Sequence, residues 1–144
     1  MFDVALAEAG AQVPLATSSD ENFPPENIID GKLETFWATT GLFPQEFIIS
    51  FTTMICMDQI KINCYQVKRL SIERSVSNEP TDFEAMTEKD LSPSDASLQM
   101  EEFQGEKASA KHLKFIIKSG YDHFVSVHKV SVSGMAVREQ TLAS

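Results

Sequence analysis

The chain has 144 residues, of which 42% are hydrophobic and 23% are charged. These values are typical of globular proteins, and a chain of this length can bury about two-thirds of its unfolded surface in one domain. Twenty-one acidic against twelve basic residues give a formal net charge of -9 at pH 7. This charge repels phosphate backbones and anionic lipid headgroups, which argues against nucleic acid and bare membrane as partners.

The sequence shows no pattern typical of secretion or membrane insertion. Residues 1–10 contain two acidic and no basic side chains, and no apolar run approaches the roughly 18 residues of a membrane span. No asparagine lies in an N-glycosylation motif. We expect Cys56 and Cys64 to be reduced and mostly buried, although a bond across neighbouring strands is the alternative. The chain is therefore predicted to act in the cytoplasm and not to be secreted.

The first feature along the chain is a polar run from Ala16 to Pro25. It ends in two prolines, which cannot continue a central strand, so we predict a loop. The segment that follows combines Asp30, Gly31 and Thr35. A hard cation such as calcium binds six to eight oxygens, and a loop around one aspartate can supply several of them as carbonyls. The alternative is a turn at Asp30 and Gly31, with Phe36 and Trp37 closing one end of the core.

The next segment is a short loop with an apolar tip, which we consider a candidate contact site for a partner protein. The alternative is that Phe43 folds back into the core. The candidate partner-binding residues are Thr39, Thr40, Leu42 and Phe43.

Between Phe47 and Val132 apolar residues alternate with polar ones in short runs, the pattern of half-buried strands. The stretch from Glu79 to Lys107 differs, because it holds nine acidic side chains and only two lysines, and it predicts long loops around one or two weak strands. The alternating residues are core candidates: Phe47, Ile49 and Phe51; Ile60, Ile62 and Cys64; Leu70 and Ile72; Leu113, Phe115 and Ile117.

The last run changes its alternation part way along. Val125 and Val127 stand at odd-numbered positions, whereas Val130 and Val132 stand at even-numbered ones, so the buried positions shift by one residue between the two pairs. One extra residue in a strand accounts for such a change, so we predict a β-bulge near His128 and Lys129.

Taken together, the elements predict an all-β antiparallel sandwich, a jelly roll, as a single domain of residues 1–134 followed by a partly ordered tail of residues 135–144.

The sequence lacks the common local signatures of enzymes. It has no G-x-S-x-G elbow, no glycine-rich phosphate loop and no H-E-x-x-H motif. His112, His123 and His128 have no spacing typical of a zinc site, and the adjacent pair Asp122 and His123 does not by itself make a catalytic triad. We therefore predict that the protein is not an enzyme.

The sequence resembles known proteins at two levels, a broad fold family and a narrower family within it. The pattern D-G-x-x-x-T-x-W at residues 30–37 resembles the signature of galactose-binding-like jelly rolls, the discoidin and coagulation-factor C-type domains. A second similarity is to the sequences of a family of small jelly-roll subunits of the intraflagellar transport B complex. It is carried by residues 15–21, 24–31, 43–49 and 126–131. This resemblance implies a subunit that pairs with a Rab-like small GTPase in the cilium, flagellum and cytoplasm, alongside other complex B subunits, and that supports ciliary transport and export of signalling proteins.

The resemblance also implies a structural calcium ion. The family's ligand pattern falls on the Asn27 carbonyl, the Asp30 carboxylate, the Lys32 carbonyl, Thr35 and, in the last strand, the His128 carbonyl. Lys129 stands where several jelly rolls of this kind place an acidic side chain. Two other functions stay open: a calcium-stabilised carbohydrate-binding module, and membrane docking through the apolar side chains of Phe23 and Phe43, which the net charge opposes.

Overall fold

The computed structural model of the chain describes residues 2–17, 22–39, 42–93, 98–122 and 125–137. Within these ranges it contains two 3-10 helices, Ala7–Ala9 and Pro25–Ile29. It also contains nine β-strands: β1 Phe2–Asp3, β2 Gln12–Ala16, β3 Trp37–Ala38, β4 Gln45–Tyr65, β5 Val67–Ser75, β6 Glu84–Asp90, β7 Gln99–Gln104, β8 Ser109–Gly120 and β9 Ser126–Ala136.

All strand pairs are antiparallel, and the fold is the predicted all-β sandwich. One layer follows the order β2-β4-β8-β5-β6, and the other places β9 and β7 on either side of the second half of β4. Strands β1 and β3 pair with the far side of β9. In the described part of the chain, no helix is long and apolar enough to cross a membrane.

Strand β4 belongs to both layers. The two alternating runs predicted around Phe47 and Ile62 are not separate strands, because β4 continues through both for 21 residues. Its first part pairs with β8 and its second part with β9, and Ile55 pairs with both neighbours, opposite Ala110 and Ala136. The ladder to β8 changes register between Ser50 and Ile55. That irregularity interrupts the period-two pattern, which is why the sequence indicated two strands.

The predicted core is confirmed. Aromatic rings form its centre: Phe47 stacks on Phe115 with ring centroids 4.9 Å apart, and Trp37 meets Phe47 edge to face at 5.2 Å. Offset-stacked and edge-to-face pairs are the preferred geometries for such rings. The alternating core candidates and the four valines of the last run are all buried: Phe47, Ile49, Phe51, Ile60, Ile62, Cys64, Leu70, Ile72, Leu113, Phe115, Ile117, Val125, Val127, Val130 and Val132.

The two cysteines are free, as predicted. Cys64 is fully buried, and this burial raises the pKa of its thiol from 9.0 to about 12. Cys56 is half-buried on the other half of β4. The predicted weak strands of the acidic segment are also present, as β6 and β7.

Both ends of the chain differ from the prediction. Strands β1 and β2 were not predicted, because β1 has two residues and β2 is a mostly exposed edge strand that contains Pro14. At the other end β9 continues to Ala136, two residues past the predicted domain boundary, and the Val137 amide donates to the Met54 carbonyl. The rest of the predicted tail, residues 138–144, lies outside the described residues.

Candidate metal and partner sites

A loop closed by the carboxylate of Asp30 follows the second 3-10 helix. Ile28 and Ile29 are buried and anchor this helix to the core. Gly31 then turns the chain with a φ of 81°, a backbone conformation that favours glycine. Asp30 Oδ1 accepts a hydrogen bond from the Lys32 amide at 2.9 Å, and Oδ2 accepts one from the Thr35 hydroxyl at 2.5 Å. The predicted turn at Asp30 and Gly31 is therefore confirmed.

The aromatic pair after this loop is divided between the core and the surface. Trp37 has no exposed surface, as predicted for a residue that closes the core. Phe36 does not share that role, because neighbouring residues in an extended chain point to opposite sides. Its ring stacks on Phe23 with centroids 4.7 Å apart and lies 4.9 Å from the ring of His128. The Phe36 carbonyl accepts a 2.9 Å hydrogen bond from the side-chain amide of Asn27.

The predicted β-bulge lies at His128. Asn63 pairs with Lys129 and the next residue, Cys64, pairs with Val127, so His128 is the extra residue of β9. Its ring bonds the Leu33 carbonyl through Nδ1 at 2.8 Å. A carbonyl can only accept, so Nδ1 carries the proton. The bulge residue of the last strand is therefore in contact with the Asp30 loop through its ring, and the metal role of the His128 carbonyl stays a prediction.

The donor atoms around this loop suit a hard cation better than a transition metal. No group of three or more His, Cys, Asp or Glu side chains that could hold a metal occurs in the described ranges, so an ion here would depend on backbone oxygens. Each Asp30 oxygen accepts one hydrogen bond, and a carboxylate oxygen can engage a second partner. The residues thus fit a calcium ion that is held by a single formal charge.

The second candidate site, the loop before β4, presents one apolar side chain to solvent. Leu42 is 87% exposed, whereas Thr39 is buried and its hydroxyl accepts a hydrogen bond from the Val125 amide at 3.2 Å. Phe43 packs against the core, which confirms the alternative stated for it. Thr40 lies outside the described residues. Of the predicted partner-binding residues in view, Leu42 is therefore the one with a freely accessible side chain.

The histidines that were given no function have local roles where they are described. His112 is buried, and its Nε2 donates to the carbonyls of Ser77 and Asn78 at 3.0 and 3.1 Å. Its Nδ1 accepts from the Ser50 hydroxyl at 2.6 Å. These bonds hold the loop after β5 against β8. His123 lies outside the described residues.

Comparison with solved structures shows a carbohydrate-binding-module fold. The family 32 module of Clostridium perfringens NanJ in complex with galactose aligns with a TM-score of 0.76 at 16% identity, over 91% of this chain and 97% of that one. A chitosan-binding module of a chitosanase/glucanase from Paenibacillus sp. IK-5 aligns with a TM-score of 0.78 at 18% identity, over 93% and 100%. At these identities the similarity establishes that the fold is a galactose-binding-like jelly roll. It does not assign a binding activity to this chain.

Similarity to curated proteins is much higher, although no family model matches the chain. The human intraflagellar transport protein 25 homolog is 53% identical over 136 residues, which cover 94% of each chain. Intraflagellar transport protein 25 of Chlamydomonas reinhardtii is 42% identical over 134 residues, or 93% of this chain and 70% of that protein. The chain therefore belongs to the intraflagellar transport protein 25 family, as a transport subunit associated with the cilium or flagellum.

Proposed function

We propose that the chain is a non-enzymatic subunit of intraflagellar transport complex B that forms a stable heterodimer with a Rab-like small GTPase subunit. Through that complex it would contact other complex B subunits and support the export of signalling proteins from the cilium. Family membership supports the transport role. The partner and the cargo come from the resemblance of the sequence to this family.

One observation carries the protein-binding role: the exposure of Leu42. At 87% it is the most exposed large hydrophobic side chain in the described residues, and the next is Met135 at 59%. The Leu42 backbone is anchored to the start of β4, because Gln45 donates to the Leu42 carbonyl at 2.7 Å and accepts a 2.7 Å bond from the Thr17 hydroxyl. An apolar side chain on an anchored backbone loses less conformational entropy when a partner covers it. The fully buried core of a protein interface is more apolar than the rest of the surface, so this side chain suits such a position.

We also propose that calcium acts as a structural ion in this subunit. The Asp30 carboxylate would hold it together with the carbonyl oxygens of Asn27, Lys32 and His128 and with oxygens of Thr35. The ion would neutralise Asp30 and connect the Asp30 loop to β9. Support comes from the oxygen-rich donor set and from the bulge at His128, which already brings these two segments into hydrogen-bonding contact.

Co-expression with the GTPase subunit tests the proposal. We expect a one-to-one complex that survives size-exclusion chromatography in high salt, with its mass measured by light scattering. Leu42→Arg should dissociate it, since a charge would replace the apolar anchor. Val76→Arg is the matched control, because Val76 is 51% exposed and lies after β5, outside the Leu42 loop. A chain that stays monomeric beside the GTPase would contradict the proposal and direct attention to glycan arrays.

The non-enzymatic part has a separate test. The GTP hydrolysis rate of the folded GTPase subunit should be the same alone and in the complex, because the sequence holds no G-x-S-x-G, glycine-rich phosphate-loop or H-E-x-x-H motif. A rate that increases on complex formation would show that this subunit contributes to catalysis.

A further inference from the structure

The edge strands of the two layers face each other across one groove. Strand β6 pairs only with β5, and β7 pairs only with β4, among the strands described. Residues of both line the same groove, which has a volume of about 530 Å³. Lys89 of β6 and Glu101 of β7 form an ion pair of 2.9 Å between the two strands. The free edges of β6 and β7 thus meet on one open side of the sandwich.

The groove has an apolar floor. Phe103 of β7 is 5% exposed, and Met86 of β6 and Ala108 pack against the core as partly buried residues. The Lys89 ammonium lies 5.1 Å from the centroid of the Phe103 ring. In contrast, five of the seven residues of β6 are exposed. Strand β6 therefore has an accessible edge beside a surface that can receive apolar side chains.

The rim of the groove is acidic. Its two cations are already paired within the chain: Arg74 with Glu84 at 2.9 Å, and Lys89 with Glu101. Glu106 is exposed and makes no ion pair with any described residue, and the nearest cation to Glu102 is Lys61 at 3.9 Å. The surrounding segment from Glu79 to Lys107 holds nine of the 21 acidic residues of the chain and two lysines. Its charge is complementary to a basic partner.

We propose that this groove, defined as the space between β6 and β7, binds an extended basic segment of a partner protein as an added β-strand. The segment would pair with the free edge of β6, place alternate apolar side chains on the floor at Met86 and Phe103, and direct its lysines or arginines to the acidic rim. Strand addition of this kind obtains its affinity from main-chain hydrogen bonds and its specificity from alternate side chains. The proposal is independent of the heterodimer, because the groove does not include the Leu42 loop.

Protection of the edge is the competing explanation for these charges. Charged side chains on edge strands prevent unwanted pairing with other chains. Protection alone, however, predicts that every added strand is rejected. An edge protected by acidic side chains and lying beside an apolar floor should instead discriminate between strands. It attracts a basic strand and does not attract a neutral or acidic one.

The test uses the complete chain, labelled with nitrogen-15, and a synthetic peptide of alternating lysine and valine. About nine residues are enough to span the seven of β6. We expect saturable amide shifts confined to β6 and to residues 102–106, together with slower hydrogen exchange along β6. The same peptide carrying N-methyl groups on every residue keeps its charge but loses the backbone donors of both edges, and it should not bind. Binding of the methylated peptide at equal strength would overturn the proposal.

Variants of the protein separate this site from general attraction to an acidic protein. Glu102→Lys combined with Glu106→Lys should weaken peptide binding roughly tenfold, because two rim charges are reversed. Glu8→Lys combined with Glu26→Lys is the matched control, since it changes the net charge equally, both residues are exposed on the two 3-10 helices, and it should leave binding unchanged. Equal loss in both variants, shifts outside the groove, or no shifts up to about 1 mM peptide would each overturn the proposal.

Discussion

The His128 ring donates a hydrogen bond from Nδ1 to the carbonyl of Leu33, across 95 positions of the sequence and over 2.8 Å. This bond connects the bulge of the last strand to the loop that Asp30 closes. Ordering a loop costs conformational entropy. A bond between the loop and the last strand offsets part of that cost and stabilises the ordered arrangement. The proposed calcium ion would strengthen the same connection, which makes its contribution measurable as stability.

Removal of calcium should lower the melting temperature of the wild-type chain. An ion present at a hundredfold excess over its dissociation constant stabilises a folded protein by roughly 2 to 3 kcal/mol. This corresponds to several degrees in a domain of this size. Differential scanning fluorimetry with and without a calcium chelator measures the effect.

Asp30→Ala should abolish this response to chelator. The variant also loses the bonds from the Lys32 amide and the Thr35 hydroxyl, which costs about 1 to 2 kcal/mol whether or not calcium binds. Glu34→Ala in the same loop is the control and should respond like the wild type. If Asp30→Ala retained the full chelator effect, the proposed ligand would be wrong.

The aromatic centre of the core should dominate stability. Phe47→Ala removes a fully buried ring that contacts both Trp37 and Phe115, and we expect a loss of about 3 to 5 kcal/mol in the free energy of unfolding. Phe23→Ala, at a ring that is 37% exposed, should cost less. Urea titration followed by fluorescence of the single tryptophan measures both. Comparable losses in the two variants would contradict the described core.

The two thiols should differ in reactivity. Burial raises the pKa of Cys64 to about 12, so this residue carries almost no thiolate at pH 8, and the thiolate is the reactive form. Cys56 is half-buried and should react first. We expect a thiol reagent to modify Cys56 alone in the native protein and both residues after denaturation. Mass spectrometry of the modified peptides identifies the site, and rapid native labelling of Cys64 would refute the prediction.

The same pKa makes stability depend on pH. The folded state keeps the Cys64 proton up to a higher pH than the unfolded state, whose thiol has a pKa near 9.0. The stability associated with this proton is therefore complete below pH 9 and is lost as the pH rises toward about 12. Other groups titrate in that range, so the measured quantity is the difference in pH dependence between the wild type and Cys64→Ala. An identical decline in both would exclude this contribution.

Gly120→Ala should loosen the end of the sandwich that carries Leu42. A Cβ atom at Gly120 would lie 2.8 Å from the Phe43 ring and 2.9 Å from the Gln66 carbonyl. Relief of such overlap typically costs about 1 to 3 kcal/mol. We expect weaker binding of the GTPase subunit as well, because Phe43 supports the exposed tip. Ser119→Ala is the neighbouring control, and a stable Gly120→Ala variant with full affinity would contradict the prediction.

Much of this arrangement could be predicted from local pattern. Alternation at Phe47, Ile49 and Phe51 identified one buried face, since the two faces of a strand follow directly from backbone geometry. The change of parity between Val127 and Val130 located the bulge at His128, because an inserted residue shifts every later side chain to the other face. Asp30 and Gly31 indicated a turn for equally local reasons.

The sequence by itself thus determined the fold class, the core residues, the bulge and the turn that forms the candidate metal site. Tertiary structure alone decided that β4 runs continuously through both layers, that Thr39 turns inward while Leu42 remains exposed, and that β6 and β7 meet across a groove. These features depend on contacts between residues that are distant in the chain. A period-two pattern reports which face of a strand is buried, whereas the neighbours of that strand are chosen by the packing of the whole domain.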